Sequence, residues 1–388
     1  MDDGASLVIA SRMQLALYNL TTTTKYGGVE SFVWDLSREL ARRGHRVTII
    51  GGVGPRREHA PGVRVLVYPF VSRRFWQALP VLRRAYAEAK LLERLTLAVA
   101  ALPELIHGGY DLIHLQKPYD LAPALLARRL GGARVVLGCH GEDFYPGDRV
   151  LARRVDAAIS CSHFNACTVA ARYGIEPLVV FNGIDTNLFR PVAPDPALRR
   201  SARSHRDAVL VWVGRFQPWK GVDIAIRALA QIPQATLLIA GDGEERGRLE
   251  QLAADLDLGE RVRFLGPVPR AELPRLYSSA DLLLATSFAS ETFGIGLVEA
   301  QACGLPVVAS RFGGFPEVVD EGRTGLLVPP RDPQALAAAV RELLEDPARR
   351  RAMAAAGPAW AAQFAWPAVV DRIETAYRSA LSRETATD

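Results

Sequence analysis

No run of about 18 uninterrupted apolar residues occurs in the 388-residue sequence, so hydropathy offers no membrane-spanning helix. The opening MDDGASLVIAS has no basic segment followed by an apolar one of signal-peptide length, and a cytoplasmic protein is expected. Cys139, Cys161, Cys167 and Cys303 form no CxxC pair and no cluster with histidine. They read as reduced structural thiols rather than as a disulfide framework or a zinc site. No DxD-type acidic pair stands in a position to hold a divalent metal, no GxGxxG fingerprint occurs, and no tandem repeat of short period is present. Basic residues are not interleaved with aromatics in a recognisable module, so nucleic acid is not an expected partner.

What is present is the composition of a globular protein, 49% apolar and 23% charged, in a chain long enough for two domains. The net charge of +5 is uneven. Residues 1–190 carry 24 Lys and Arg against 17 Asp and Glu, and the remainder 23 against 25, or about +7 and −2. Such a basic half suits an anionic membrane surface, a phosphorylated substrate or plain solvation.

Short β-branched runs alternate with helical periods. LVIAS, VTIIGG, VRVLVY, DLIHL, ARVVLGCH and AAISCS precede residue 190; AVLVWVG, ATLLIAG, RVRFLG, DLLLAT and LPVVAS follow residue 207. This alternation predicts βαβ units and parallel sheets in both halves. In the first predicted helix Val29, Phe32, Val33, Leu36 and Leu40 share one face, and Gly44 stands at its stop. Later helices are expected at about 220–231, 244–256, 270–278 and 294–303. The Pro- and Arg-rich stretch 190–207 lacks strand character and reads as a linker. Two doubly wound domains in series predict a ligand cleft at the carboxyl ends of their strands.

Several groups would meet at those ends. In SETFGIGLVEA, Glu291 and Glu299 flank a glycine-bearing turn that opens a helix. The amides of Phe293, Gly294 and Ile295 would face an anion there, with the helix dipole in favour. Arg215 and Lys220 bracket a turn after a strand, where two cations suit a diphosphate leaving group and make a metal unnecessary. Gly27 and Gly28 open the first helix and allow close approach of a phosphate. His140 and Asp143 of CHGED stand in a loop beyond another strand, and Asn182 in NGID closes a further one or forms an Asn-Gly turn.

The ordered set GGVE, RGH, HGED, NGID, GRFQPWKG, GDG, SETFGIGLVEAQACGLPVVAS, GGFPEVV and GLLVPP resembles, over essentially the whole chain, the family 4 retaining glycosyltransferases of GT-B architecture. The resemblance implies two Rossmann-like domains facing each other across a deep cleft: residues 1–190 on the acceptor side and 191–366 on the donor side. A last helix at about 367–388 would return to the first domain. It implies a nucleotide-diphosphate sugar as co-substrate, a UDP-sugar before GDP-mannose, and a hexosyl group moved to an unidentified hydroxyl. No cofactor and no metal are implied.

Within that resemblance Gly28, beside Gly27, would meet the donor phosphates, Arg215 and Lys220 would hold the diphosphate, and Glu299 would bind the ribose. Glu291 and the amides of Phe293, Gly294 and Ile295 would address the donor sugar, with His140 at its 6-hydroxyl and Asn182 nearby. The base would sit on backbone near Val268, and Asp143 would face the acceptor. The loop SRMQLALYNLTTTTKYGG lacks the proline common before the glycine pair, which leaves the acceptor open. Competing readings are a glycoside phosphorylase of the same architecture and a non-catalytic sugar-nucleotide-binding protein. The stretch 73–95, with Arg73, Arg74, Arg83, Arg84, Lys90 and Arg94 among apolar residues, reads either as a basic amphipathic helix on an anionic membrane at the cytoplasmic face or, because of Pro80, as two shorter packed helices.

Overall fold

The computed structural model describes residues 12–25, 27–55, 58, 60–141, 143–203 and 208–382. The expected strand LVIAS at 7–11 and Glu142 of CHGED lie outside the described residues. Among the described residues the first strand is β1, Gln14–Tyr18, followed by β2 Arg46–Gly52, β3 Val63–Tyr68, β4 Leu112–Leu115, β5 Arg134–Cys139, β6 Ala157–Ser160 and β7 Leu178–Val179. These form one seven-stranded sheet in the order β3-β2-β1-β4-β5-β6-β7. A six-stranded sheet contains β8 Ala208–Val213, β9 Ala235–Ala240, β10 Val262–Gly266, β11 Leu282–Ala285, β12 Val307–Ser310 and β13 Gly325–Val328. Its order, β10-β9-β8-β11-β12-β13, repeats that of the first. Both are the doubly wound Rossmann order, with switch points at β1/β4 and β8/β11, where ligands of open α/β sheets bind.

The central strands are largely apolar because helices cover both sheet faces: every residue of ATLLIA in β9 is buried. The helix Gly28–Arg42 presents the expected face, with Phe32, Val33, Leu36 and Leu40 buried, and stops before Gly44 at φ +89°. The stretch read as a linker is corrected in part, since Pro196–Arg203 is helical. Its proline occupies the first helical position, where the missing N–H costs nothing. All four cysteines are free, and Cys167 alone is exposed.

The chain divides into two compact units: Met1–Ile159 with Val169–Leu178 and Val370–Asp388, and Ser160–Thr168 with Val179–Val369. The division falls earlier than residue 190, for reasons of hydrogen bonding. Val180 N–H donates to the Ser160 carbonyl at 2.9 Å and Ile184 N–H to that of Phe364 at 2.8 Å. Glu317, in the GGFPEVV segment, accepts from the amides of His163 and Phe164 at 2.7 and 2.8 Å and so caps the helix His163–Tyr173.

The last helix, Trp366–Ser382, binds the first unit through buried polar contacts. Glu374 is 6% exposed and lies 3.2 Å from His45 Nε2 and 3.4 Å from Arg43 Nη1. Met13 N–H donates to His45 Nδ1 at 3.2 Å, so the proton is on Nε2 and points at Glu374. Asp371 also pairs with Arg43 but is 68% exposed. Removing one partner of a buried ion pair costs about 3–5 kcal/mol, whereas an exposed pair is worth about 0–1 kcal/mol. Glu374→Ala should therefore destabilise the first unit by about 3 kcal/mol in urea melts and Asp371→Ala by less than about 1 kcal/mol. Equal losses would show that Glu374 does not hold this helix.

Candidate functional site

In the second unit the site grows from the β8/β11 switch point. After β8 the chain turns at Gly214, and Arg215 is exposed with no ion pair among the described residues. A 3₁₀ turn, Pro218–Lys220, leads to Gly221 at φ +66°, where a Cβ would stand 2.4 Å from the Thr286 carbonyl oxygen. Thr286, just beyond β11, accepts from Trp212 Nε1 at 3.1 Å and donates to the Gly221 carbonyl at 2.6 Å. These bonds lock the Lys220 turn against the end of β11. Lys220 Nζ then sits 2.5 Å from Glu291 Oε2, and the Ser287 hydroxyl donates to the same oxygen at 3.2 Å.

Glu291 is itself set by backbone. Ser290 has φ +52°, a left-handed conformation uncommon for a non-glycine residue. A Cβ on Gly313 (φ +59°) would lie 1.8 Å from the Glu291 carbonyl oxygen, and Gly314 N–H donates to that oxygen at 3.2 Å. Gly294, at φ +94°, caps the helix Ile295–Ala302, and a Cβ there would lie 2.6 Å from the Phe315 ring. The Phe293 side chain belongs to the core at 2% exposure, so only its backbone can serve a ligand. Among the described residues the amides of Phe293, Gly294 and Ile295 donate to no protein acceptor. Three unused donors at a helix start, beside Lys220, form a site for an anion.

Glu299, on the same helix, is 6% exposed, with Oε1 3.5 Å from Arg270 Nε. Arg270 also lies over the Phe189 ring at 5.3 Å. Val268 is half-buried in the segment between β10 and Arg270. Asn182 is half-buried too, and its Oδ1 has no hydrogen-bond partner among the described residues. No group of three or more His, Cys, Asp or Glu among the described residues is arranged to hold a metal ion.

In the first unit Gly27 is the extended cap of the first helix, and a Cβ there would meet the Glu30 carboxylate at 2.5 Å; Gly28 has open space within 4 Å. His140 follows β5, packs against Phe32 with the rings tilted at 59° and centroids 4.6 Å apart, and has Nε2 2.7 Å from Gln116 Oε1. Burial, with help from Lys117 and His114, holds its imidazole well below the usual histidine range and so neutral. Behind it His114 is buried, pushed down to about 3 by desolvation, with Nδ1 2.8 Å from the Tyr377 hydroxyl. Gly138 separates the two rings: a Cβ would stand 2.8 Å from His114 Nε2 and 3.1 Å from His140 Nε2.

Asp143 is held between two lysines, with Lys90 Nζ at 2.5 Å and Lys117 Nζ also bonded. Burial opposes its charge, but the two ammonium groups outweigh that and keep the carboxyl well below the usual range. The Lys90 ammonium, lowered by desolvation, also lies 4.7 Å from the Tyr119 ring centre. A pocket opens here, lined by Gln116, Lys117, His140, Asp143, Phe144 and Tyr173. Sequence reading missed Gln116, Lys117 and Arg270. Lys117 was within reach, because it follows β4 at the switch point; Gln116 and Arg270 gain meaning only from their partners.

The chain is similar to known proteins. Residues 195–360 match the family model described as Glycosyl transferases group 1, and residues 26–188 the one described as Glycosyltransferase Family 4. The D-inositol 3-phosphate glycosyltransferase 1 of Catenulispora acidiphila is 33% identical over 388 residues, covering 92% of this chain and 91% of that protein. A GDP-mannose-dependent alpha-(1-6)-phosphatidylinositol monomannoside mannosyltransferase of Mycolicibacterium smegmatis is 36% identical over 260 residues, 61% of this chain and 67% of that one. Anabaena HepE, crystallised with UDP, superposes with TM-score 0.76 at 26% identity, covering 95% of this chain and 100% of its own; its UDP-glucose complex gives 0.75. With two Rossmann-like units, family models spanning both and a relative 33% identical over nine-tenths of the sequence, this chain belongs to glycosyltransferase family 4, the group 1 glycosyl transferases of GT-B architecture.

Proposed function

We propose that the chain moves a hexosyl group, with retention and without a metal, from a nucleoside-diphosphate sugar to a hydroxyl of a phosphorylated acceptor. The observation that carries the donor half is the set of unused amides at Phe293, Gly294 and Ile295 beside Lys220, with Arg215 at the end of β8. Arg215 and Lys220 take the diphosphate, whose growing charge they stabilise as the bond from the anomeric carbon to the β-phosphate oxygen breaks. The acceptor oxygen bonds to the same face of that carbon, and its proton passes to the departing phosphate oxygen. Glu299, steadied by Arg270, accepts from the ribose hydroxyls. Glu291 gives up Lys220 to the diphosphate and turns to the sugar. A UDP-sugar is the first choice of donor, since HepE was solved with UDP and UDP-glucose, and GDP-mannose the second.

The acceptor reading rests on Lys90 and Lys117. Two cations share the single Asp143 carboxylate, which leaves a positive excess in the pocket beside His140. That environment suits a phosphate, and the Catenulispora relative is named for a phosphorylated inositol. Gln116 and Phe32 hold the neutral His140 ring ready to bond a sugar hydroxyl without introducing charge.

Release of nucleoside diphosphate from UDP-glucose, UDP-N-acetylglucosamine, GDP-mannose or ADP-glucose, with inositol phosphate present, tests the whole reading. Turnover with one donor should persist in EDTA; loss of activity there, restored by magnesium or manganese, would overturn the role given to Arg215 and Lys220. Glu299→Ala should weaken binding of the free nucleoside diphosphate by about 1–3 kcal/mol, the scale for bonds to a charged group. Glu291→Ala should weaken the intact donor more than the free diphosphate, because Lys220 loses a competing carboxylate. Calorimetry showing equal losses for both ligands in both variants would mean the roles are wrongly divided. Because burial lowers the His140 pKa, its imidazole stays neutral from pH 8 down through 6, and kcat/KM should show no acid limb from this residue in that window. An acid limb near pH 6.5 that disappears in His140→Asn would refute the assignment.

A further inference from the structure

Five of the exposed large hydrophobic side chains fall within residues 71–86: Val71, Phe75, Leu79, Tyr86 and Val81, the last 90% exposed. No Asp or Glu occurs between residues 71 and 87, while Arg73, Arg74, Arg83 and Arg84 do. The structure resolves the stretch into a helix Arg73–Ala78, a 3₁₀ turn Pro80–Leu82 and a long helix beginning at Tyr86. Of the two readings of this stretch it bears out the shorter helices over the single amphipathic one: Pro80 breaks the period, and two of the six basic residues turn inward. Lys90 goes to Asp143, and Arg94, 2% exposed, to Asp120. What remains outside is a compact surface of arginines and apolar tips.

This surface is held open by its backbone rather than left loose. Val71 N–H donates to Thr96 Oγ1 at 3.0 Å and Arg73 N–H to the buried Glu93 carboxylate at 2.8 Å, both on the helix Tyr86–His107. Arg73 also lies over the Tyr86 ring at 5.2 Å. Arg74, Arg83 and Arg84 are exposed and make no ion pair among the described residues. Apolar residues that could fold inward are instead presented outward beside unpaired cations.

We propose that residues 71–86 are a peripheral docking surface for an anionic phospholipid bilayer. Phe75, Leu79 and Val81 enter the acyl boundary, Tyr86 sits at headgroup level, and Arg74, Arg83 and Arg84 meet lipid phosphates. Charge selects this occupant: seventeen residues without a carboxylate give a protein partner no acidic and basic mosaic to match, but fit a uniformly negative plane. Tyr86 begins the helix that carries Lys90 one turn later, so the bound surface adjoins the Asp143 pocket. Resting on the proposed acceptor reading, this means the phosphorylated acceptor is met at the membrane.

Flotation of the full chain with phosphatidylcholine vesicles, with and without phosphatidylglycerol, tests the proposal and needs no turnover, so it stands or falls apart from the reaction. Recovery should occur on the anionic vesicles at low salt and be lost at high salt. Arg74→Gln, Arg83→Gln and Arg84→Gln together should reduce partitioning about a hundredfold, at about fivefold per arginine. Val81→Asp should abolish it, and thermal stabilisation by nucleoside diphosphate should be unchanged in both variants. Equal recovery on neutral and anionic vesicles, no recovery on either, or a dimer in light scattering that Val81→Asp dissolves would overturn the proposal.

Discussion

The proposed donor site depends on how closely backbone can approach backbone at the β8/β11 switch point. At Gly313 and Gly221 the carbonyl oxygens of Glu291 and Thr286 occupy the space that any Cβ would need. Those two contacts fix where the Glu291 and Lys220 segments start, and the side chains reach each other only because the segments are that near. Gly294 adds the third constraint by turning the chain into its helix against Phe315 and leaving three amides without acceptors among the described residues. The proposed chemistry rests on cations and amides, but their spacing comes from residues with no side chain at all.

The first unit handles charge differently. Its polar groups are wholly or partly buried with partners: Asp143 with two lysines, Arg94 with Asp120, Glu374 with His45 and Arg43. Each pair offsets a desolvation cost that neither member would bear alone. His114 and His140 solve the same problem by staying neutral. The outcome is a pocket where a positive excess stands beside an uncharged ring, while the surplus arginines lie on the surface.

Both doubly wound sheets were legible because hydrophobic period and glycine punctuation are local signals, although the strand orders were not read. VTIIGG, ATLLIA and the helix from Gly28 each declare themselves within a dozen residues. The strands Gln14–Tyr18 and Gly325–Val328 were not read as strands, although strands just as short, such as Leu112–Leu115 and Leu282–Ala285, were; the first lies in a stretch read as loop and the second in a stretch read only as the motif GLLVPP. The helix Pro196–Arg203 was hidden by a composition that marks loops as readily as helix starts. Lys220 and Glu291 were found separately, yet nothing in sequence says that they bond. Lys90 shows the same limit from the other side: it was counted among outward cations, and only tertiary structure reveals the carboxylate that draws it in.

The return of the last helix to the first unit bears on the order in which the molecule can be made. Arg43 meets Asp371 across 328 residues, and His114 meets Tyr377 across 263. On a ribosome adding about 5–20 residues per second, roughly 10–40 s separate the emergence of β6 from that of Val370. During that interval the second unit is synthesised whole, while the first still exposes the surface that buries Tyr377 and Glu374. The unit that begins first is therefore the one that finishes last, and it is the nascent first unit whose uncovered face calls for protection during synthesis.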